Sequence, residues 1–502
     1  MAKNKHFEGW KGVDTRSTLD SADPKTLRAA INVDLITDGT IVERDGLRLV
    51  AQLDSDSVGL YSVGGRLRAC MAAGHSKAAS VQSTVPITYD FVGDGTVYAL
   101  ASVERVTSVS NWDADSAQGL YPVIVIQRSA AVGGQYEIHW IKDTPVPTAQ
   151  VGPPPFAPST DPVTTKLSLP FLPGDTILKI QEKMCAIDNA NGAVWFCATV
   201  DRPDPASTSG AVIYAITNWT QEGDAGFLPV IRHCTGDRTI KGLSFYDDLM
   251  AVLFEDSIQL WQMNPSPAQM GLVRVLGGPG VKYPGSVANV RGDLIYFSSG
   301  TFSSLRRSEI NGQLKDGDIG APIFPDTKLL QDTRPIGLWS QSRSAYYCFF
   351  GTEAWRYMAS PTSKKTGWTK YELPTDITAD YVVEHLGQLY IRSGDNVYRF
   401  EEGYVDGSTY TVDTHYLDCD LPSEWKFVRT MDFSGEGTPV IWFFPDMRQP
   451  TLKDRICQLD GSTASMDKIA ILENSEAFSL RLTGAVGSGF SLDRLSFALG
   501  DF

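Results

Sequence analysis

Six histidines, at positions 6, 75, 139, 233, 385 and 415, are the first residues to ask for chemistry. A zinc site needs several histidines or cysteines at short spacing, as in H-x-x-x-H or H-E-x-x-H, and none of the six has it. His233-Cys234 is an adjacent pair, and neighbours on a strand point to opposite faces. The seven cysteines (70, 185, 197, 234, 348, 419 and 457) are odd in number and contain no C-x-x-C pair, so they read as reduced, buried thiols. Neither a G-x-S-x-G elbow before a helix nor a G-x-x-x-x-G-K-[ST] phosphate loop is present. Gly277-Gly-Pro-Gly280 is glycine-rich, but Val281-Lys-Tyr-Pro-Gly285 cannot start a helix, so no anion-binding helix terminus follows. With 59 acidic residues, some carboxylate pair is certain to exist, so carboxylate pairing carries no information. No catalytic, cofactor-binding or metal-binding residue is assigned, no cofactor is expected, and the chain is not expected to be an enzyme.

The elements that would have to position such residues are short strands. One unit is written twice between Gly242 and Ser308: an apolar strand, a polar turn, a second strand, another turn and a third strand. The first copy runs Gly242–Tyr246, Leu249–Phe254 and Ser257–Met263, and the second Ser286–Val290, Leu294–Phe297 and Thr301–Arg306. Strands this short, cut by Gly, Asp and Ser clusters, are the hairpin signal. In the middle strand Leu249, Ala251 and Leu253 share one face, while Met250, Val252 and Phe254 share the other. A sheet apolar on both faces must be covered on both. The unit recurs from Gly337 and from Asp380, at spacings of roughly 43–51 residues, a period that belongs to β-propellers.

The rest of the chain is less regular. In residues 1–50, Asp38-Gly39 is predicted as the two-residue turn of a hairpin between Asn32–Ile36 and Thr40–Glu43, either a binding arm or a hairpin packed on the propeller. Further hairpins are expected at Gly59–Met71, at Phe91–Tyr98, and between Tyr121–Ile126 and Gln135–Trp140. Residues 145–162 contain Pro153-Pro-Pro-Phe-Ala-Pro158, a stiff extended loop that is either a rim loop between blades or a ligand for a partner. Another blade is expected from Ile177 to Ile216. Its run Asp188 to Trp195 compares with the Asp-box of sialidase propellers, but Ala190 stands where that motif has its aspartate. From about 401 the rhythm changes, and strands at 426–433, 438–444, 477–482 and 489–497 suggest a small antiparallel sandwich. In the last of these, Phe490, Leu492, Arg494 and Ser496 are expected on one face and Ser491, Asp493, Leu495 and Phe497 on the other.

At 502 residues, 42% hydrophobic and 21% charged, the chain has ordinary globular composition. Its formal charge of −15 argues against gripping phosphate backbones by counterion release. It is compatible with a channel through which DNA slides. The opening Met-Ala-Lys-Asn-Lys-His-Phe-Glu-Gly-Trp lacks the apolar core of a signal peptide, and no run of about 18 apolar residues occurs, so no stable membrane insertion is expected.

The run Gly242 to Trp261, then Gly277-Gly-Pro-Gly280, then Gly285 to Phe297, resembles the core of the tail nozzle proteins of short-tailed phages. That family includes the packaged-DNA stabilization proteins and the tail tubular protein B group. Leu27 to Leu47 is similar to the family's N-terminal stretch (Asn32-Val-Asp34, Asp38-Gly39, Arg44, Gly46), and Phe478–Gly484 with Phe490–Phe497 is similar to its C-terminal strands. The resemblance is much weaker between about 72 and 230, and none of its motifs carries a reactive residue.

The expected fold is therefore all-β: an N-terminal hairpin segment (1–50), a β-propeller of about seven blades with the Pro-rich insertion near 145–162 (51–400), and a C-terminal β-sandwich (401–502). The resemblance implies a structural subunit of the virion tail, assembled in the host cytoplasm. It implies a homo-oligomeric, hexameric ring with the portal and adaptor rings above and tail spike, fibre or needle proteins below. Packaged double-stranded DNA would be retained and conducted without sequence-specific binding. The alternatives are a propeller glycoside hydrolase or a receptor-binding module acting on a cell-surface polysaccharide.

Overall fold

The computed structural model describes residues 3–17, 22–36, 38–53, 57–71, 82–91, 103–115, 119–141, 164–166, 169, 171–180, 183–203, 212–218, 227–234, 236–264, 269–311, 317–358, 366–419, 424–449, 451–459 and 465–500. The described residues form a mostly β protein of many small sheets. None of the described helices is long and apolar enough to cross a membrane. The chain divides into two compact units, one of residues 49–318 with 380–398, the other of 1–48, 319–379 and 399–502.

The first unit is a succession of small, mainly antiparallel sheets. The sheet at 242–277 orders Gly242–Tyr246, Leu249–Leu253, Ser257–Gln262 and Gly271–Gly277, each antiparallel to the next. Its middle strand is covered on both faces, as the alternation requires. Met250, Val252 and Phe254 pack with Ile187, Val194 and Phe196 of the preceding sheet, whereas Ala251 and Leu253 pack with Leu294 and Tyr296 of the following one. Complete burial of each such side chain is worth about 1.5–3 kcal/mol.

The same two-sided packing links the neighbouring sheets. Val123, Val125 and Ile138 meet Ile177, Met184 and Ala186. Val58, Tyr61 and Cys70 meet Val106, Ile124 and Ile126. Leu60, Leu67 and Ala69 meet Val383, Tyr390 and Val397. The sheet at 381–401 draws its next strand from the other end of the chain: Tyr381–His385, Gln388–Ser393 and Asn396–Glu401 are followed by Gly46–Gln52 and Gln82–Ser83.

Two local expectations are corrected here. The repeats at 242 and 337 have a fourth strand each, Gly271–Gly277 and Gly367–Glu372, set apart from the third by a loop long enough to hide the meander. In the repeat at 286 the third strand stops at Ser304 and a helix, Leu305–Asn311, begins. The Ser304 hydroxyl accepts the Arg307 N–H at 3.1 Å and donates to Asp293 at 2.6 Å, while Asp293 accepts the Arg306 N–H at 2.9 Å. Ser304 thus caps the helix and ends the strand. The glycine-rich segment lies on the turn before Ser257, where a Cβ on Gly280 would fall 2.2 Å from the Phe254 carbonyl oxygen.

In the second unit one sheet of nine strands runs, in order, Ile336–Ser340, Ala345–Phe350, Glu353–Met358, Gly367–Glu372, Leu27–Ile31, Thr409–Thr414, Ser479–Ala485, Val440–Phe444 and Asp454–Gln458. The repeat that begins near 337 is therefore extended by strands from both ends of the chain. A second sheet orders Val33–Leu35, Ile41–Glu43, Ser491–Gly500, Lys426–Glu436 and Ser465–Ser475, with Lys3–Glu8 also paired to Ser491–Gly500. Apolar faces of the two sheets meet where Phe478 stacks on Phe443 at 5.3 Å and sets its edge to Phe497 at 4.9 Å.

The N-terminal hairpin forms, with Val33–Leu35 antiparallel to Ile41–Glu43, but its connection runs from Ile36 to Thr40, longer than a two-residue turn. The expected faces of the last strand are also corrected. The pairing with Lys426–Glu436 steps from Ser434↔Arg494 to Gly435↔Leu492, leaving Asp493 as an extra residue. That bulge brings Leu492 and Leu495 both into the core. The hairpin predicted at Phe91–Tyr98 and the Pro-rich loop at 145–162 lie outside the described residues, apart from Phe91 itself.

Candidate functional site

The histidines are placed apart. His139 sits in Tyr136–Ile141 with Nε2 3.1 Å from a Glu137 carboxylate oxygen that also accepts Arg128 Nη2 at 2.7 Å. His385, at a hairpin turn, has Nδ1 3.0 Å from Ser62 Oγ, and burial lowers its pKa. His6 Nδ1 is 2.7 Å from Ser496 Oγ, and the His233 ring meets the edge of Trp261. His415 is buried in the second unit, near the charges of Asp14 and Arg28; burial is the main influence on its ring and lowers its pKa. His75 lies outside the described residues. Among the described residues no group of three or more His, Cys, Asp or Glu is placed to hold a metal ion. Cys70, Cys185, Cys348 and Cys419 are buried thiols outside any disulfide, and burial pushes the Cys70 and Cys348 thiols up, away from the thiolate form.

Asp188, the residue compared above with an Asp-box, organises its own hairpin. One oxygen accepts the Asn191 N–H at 3.1 Å, and the other accepts Asn191 Nδ2 at 2.7 Å and the Trp195 indole N–H at 2.9 Å. The carboxylate is saturated by its turn, and Trp195 stacks on Phe171.

The N-terminal stretch forms a polar cluster in the second unit. Asn32 adopts a left-handed backbone (φ 55°), its amide donates to Thr409 O at 2.8 Å, and its Oδ1 accepts both Arg44 Nε and the Glu372 N–H at 2.9 Å. The Arg44 guanidinium continues to Asp406 Oδ2 at 2.8 Å, to Ser408 Oγ at 2.9 Å and to the Asp45 carbonyl at 2.7 Å. Burial pushes the Asp406 carboxyl up, but Arg44 and the N–H groups of Ser408 and Leu47 outweigh it and hold the carboxyl below the usual range. Asp34 accepts the Tyr371 hydroxyl and lies 3.3 Å from Arg356 Nε, while Arg356 Nη1 donates to Leu35 O at 3.0 Å. A Cβ on Gly46 would fall 1.8 Å from the Tyr404 carbonyl oxygen, so only glycine fits. Buried charges persist where each is paired and hydrogen-bonded, and the polar groups here bond to one another and to residues between 356 and 409. Residue type alone gave no sign of this, except that Arg44 stands beside apolar Ile41 and Leu47.

Among the described residues, a concave site on the second unit is a groove of about 270 Å³ lined by Trp425, residues 445–448, Leu452 and residues of the 473–477 strand end. Its walls are tied together. Lys426 is buried and donates to the carbonyls of Glu424 (2.8 Å) and Glu476, and Ser475 Oγ donates to Pro445 O at 2.5 Å. Arg448 Nη2 donates to Glu476 at 2.9 Å, and Asp446 accepts the Arg448 N–H at 2.8 Å. Burial lowers the Lys426 pKa despite the neighbouring carboxylates. Sequence reading did not find this groove, because its three segments are distant in the chain.

No family model matches the chain, and no curated protein is similar to it. Among solved structures, the chain is similar to the crystal structure of Kluyvelomyces marxianus Hsv2, at 10% identity and a TM-score of 0.30, over 64% of this chain and 75% of that one.

Proposed function

We propose that this chain is a structural, non-enzymatic subunit of a short-tailed phage's tail nozzle. The six successive small sheets of the first unit would be blades of a β-propeller, and the two facing sheets of the second a β-sandwich carrying both chain ends. The observation that supports the reading is where the nozzle-like residues sit. Asn32, Asp34, Arg44 and Gly46 fit the N-terminal segment against residues between 371 and 409, and Gly280 seats its loop against Phe254. Residues spent on a rigid frame suit a protein that works by being assembled. Copies would form a sixfold ring below the portal and adaptor, with spike, fibre or needle proteins beneath. An acidic chain confines DNA sterically without adhering to it, so the conduit retains the genome until ejection and then lets it slide.

The test is a particle experiment. Heads assembled in cells lacking this protein should package DNA and then lose it, and adding purified protein to freshly filled heads should prevent the loss. Filled heads that are equally stable with and without it would overturn the proposal.

A further inference from the structure

We propose that the groove beside Trp425 is a docking site for an extended, basic segment of another protein, which adds as a strand to Ser465–Ser475. The proposal stands on the surface itself and does not rest on the nozzle reading.

The strand order of the second sheet ends at Ser465–Ser475: one edge pairs antiparallel with Lys426–Glu436, and no described strand pairs with the other. Outer edges of this length, eleven residues here, are templates for added strands. Within it, the pairing steps from Val428↔Glu473 to Thr430↔Ala470, a bulge that carries Leu472 at φ 59° and leaves it 61% exposed. A leucine held left-handed with its side chain in water is unfavourable on both counts, and such outliers concentrate at working surfaces.

Near the C-terminal end of this strand, Trp425, 59% exposed, and Leu452, 47% exposed, line the groove. Large aromatic side chains of this kind anchor most binding energy at interfaces. The bonds of Lys426, Ser475 and Arg448 hold the walls in place before anything binds, which lowers the ordering cost of association. Charge then selects the occupant. The lining contains the carboxylates of Asp446, Glu473 and Glu476, and the one cation of the described lining, Arg448, is already on Glu476. The complement is an extended segment with a lysine or arginine beside a leucine, valine or aromatic residue.

The probe is a random nine-residue peptide library displayed on the full-length chain, followed by fluorescence anisotropy with the enriched peptides. Enrichment of basic–apolar sequences is expected, with affinity that falls as salt rises. Trp425→Ala and Glu473→Lys should each weaken binding at least about tenfold. Both side chains lie at the surface, so unchanged circular dichroism and melting confirm folded variants, and Leu329→Ala, at an exposed leucine of the 319–379 segment, serves as control. Enriched peptides without basic residues, or binding that both variants leave intact, would overturn the proposal. So would sedimentation showing that Trp425→Ala abolishes self-association, since the occupant would then be a second copy of this chain.

Discussion

Arg44 and Asp406 form a fully buried ion pair, Nη1 to Oδ2 at 2.8 Å, across 362 residues of chain. The pair joins the N-terminal segment to the C-terminal strands, so the second unit cannot complete its core until the last part of the chain is made. Contacts this distant in sequence make folding slow, because loop closure precedes any reward.

Removing one partner leaves the other charge buried and uncompensated. Arg44→Ala or Asp406→Ala should each cost about 3–5 kcal/mol, whereas Arg44→Met with Asp406→Leu should recover much of that loss. Urea unfolding of Arg44→Met, Asp406→Leu and the double gives the coupling energy, and additive losses would show that the two residues act separately.

Two glycines separate steric from conformational demand. At Gly280 an added Cβ meets the Phe254 carbonyl oxygen at 2.2 Å, while at Gly394 it meets nothing within 4 Å but the backbone has φ +55°. Gly394→Ala should therefore cost about 1–2 kcal/mol, the price of a left-handed alanine. Gly280→Ala should cost about 3 kcal/mol, because a backbone oxygen in a packed turn cannot withdraw. Thermal or urea unfolding that ranks them in the opposite order would refute the packing described for the 277–281 loop.

The second unit should lose stability in acid in two stages. Burial holds the folded His415 below the ordinary imidazole value of 6.5, so the unfolded chain takes up that proton first. Its contribution is complete above pH 6.5 and is lost as pH falls from there towards the folded value. Asp406, held below the ordinary 3.8 by Arg44 and its N–H donors despite burial, adds a loss only below about pH 4. Urea midpoints measured from pH 7.5 to 4.5 should decline in the wild type and stay flatter in His415→Phe. A His415→Phe profile parallel to the wild type would assign the acid sensitivity elsewhere.

The meanders were legible because each strand carries its own punctuation. Asp247-Asp248, Arg291-Gly292 and Leu386-Gly387 mark turns at which Asp247, Arg291 and Leu386 adopt positive φ, and the alternation in Leu249–Phe254 announces two buried faces. What was not legible is non-local. Nothing near Leu27–Ile31 says that it will lie between Gly367–Glu372 and Thr409–Thr414, and nothing in Gly46–Gln52 names Asn396–Glu401 as its neighbour. The strand Val103–Asp115 escaped notice because its thirteen residues are mostly polar and its pairing to Gly119–Arg128 shifts register three times. The bulge at Asp493 reversed an alternation that read cleanly, since one extra residue moves every later side chain to the other face. The groove at Trp425 needed three segments that only the fold brings together.

The central claim, that this chain acts as a ring-forming conduit, is tested most directly by the mass and symmetry of the purified protein. Light scattering and negative-stain class averages would be recorded for the protein alone and mixed with the portal and adaptor proteins. The expected result is a sixfold ring with an axial channel, formed alone or on the adaptor. A monomer that ignores the adaptor at every concentration would contradict it.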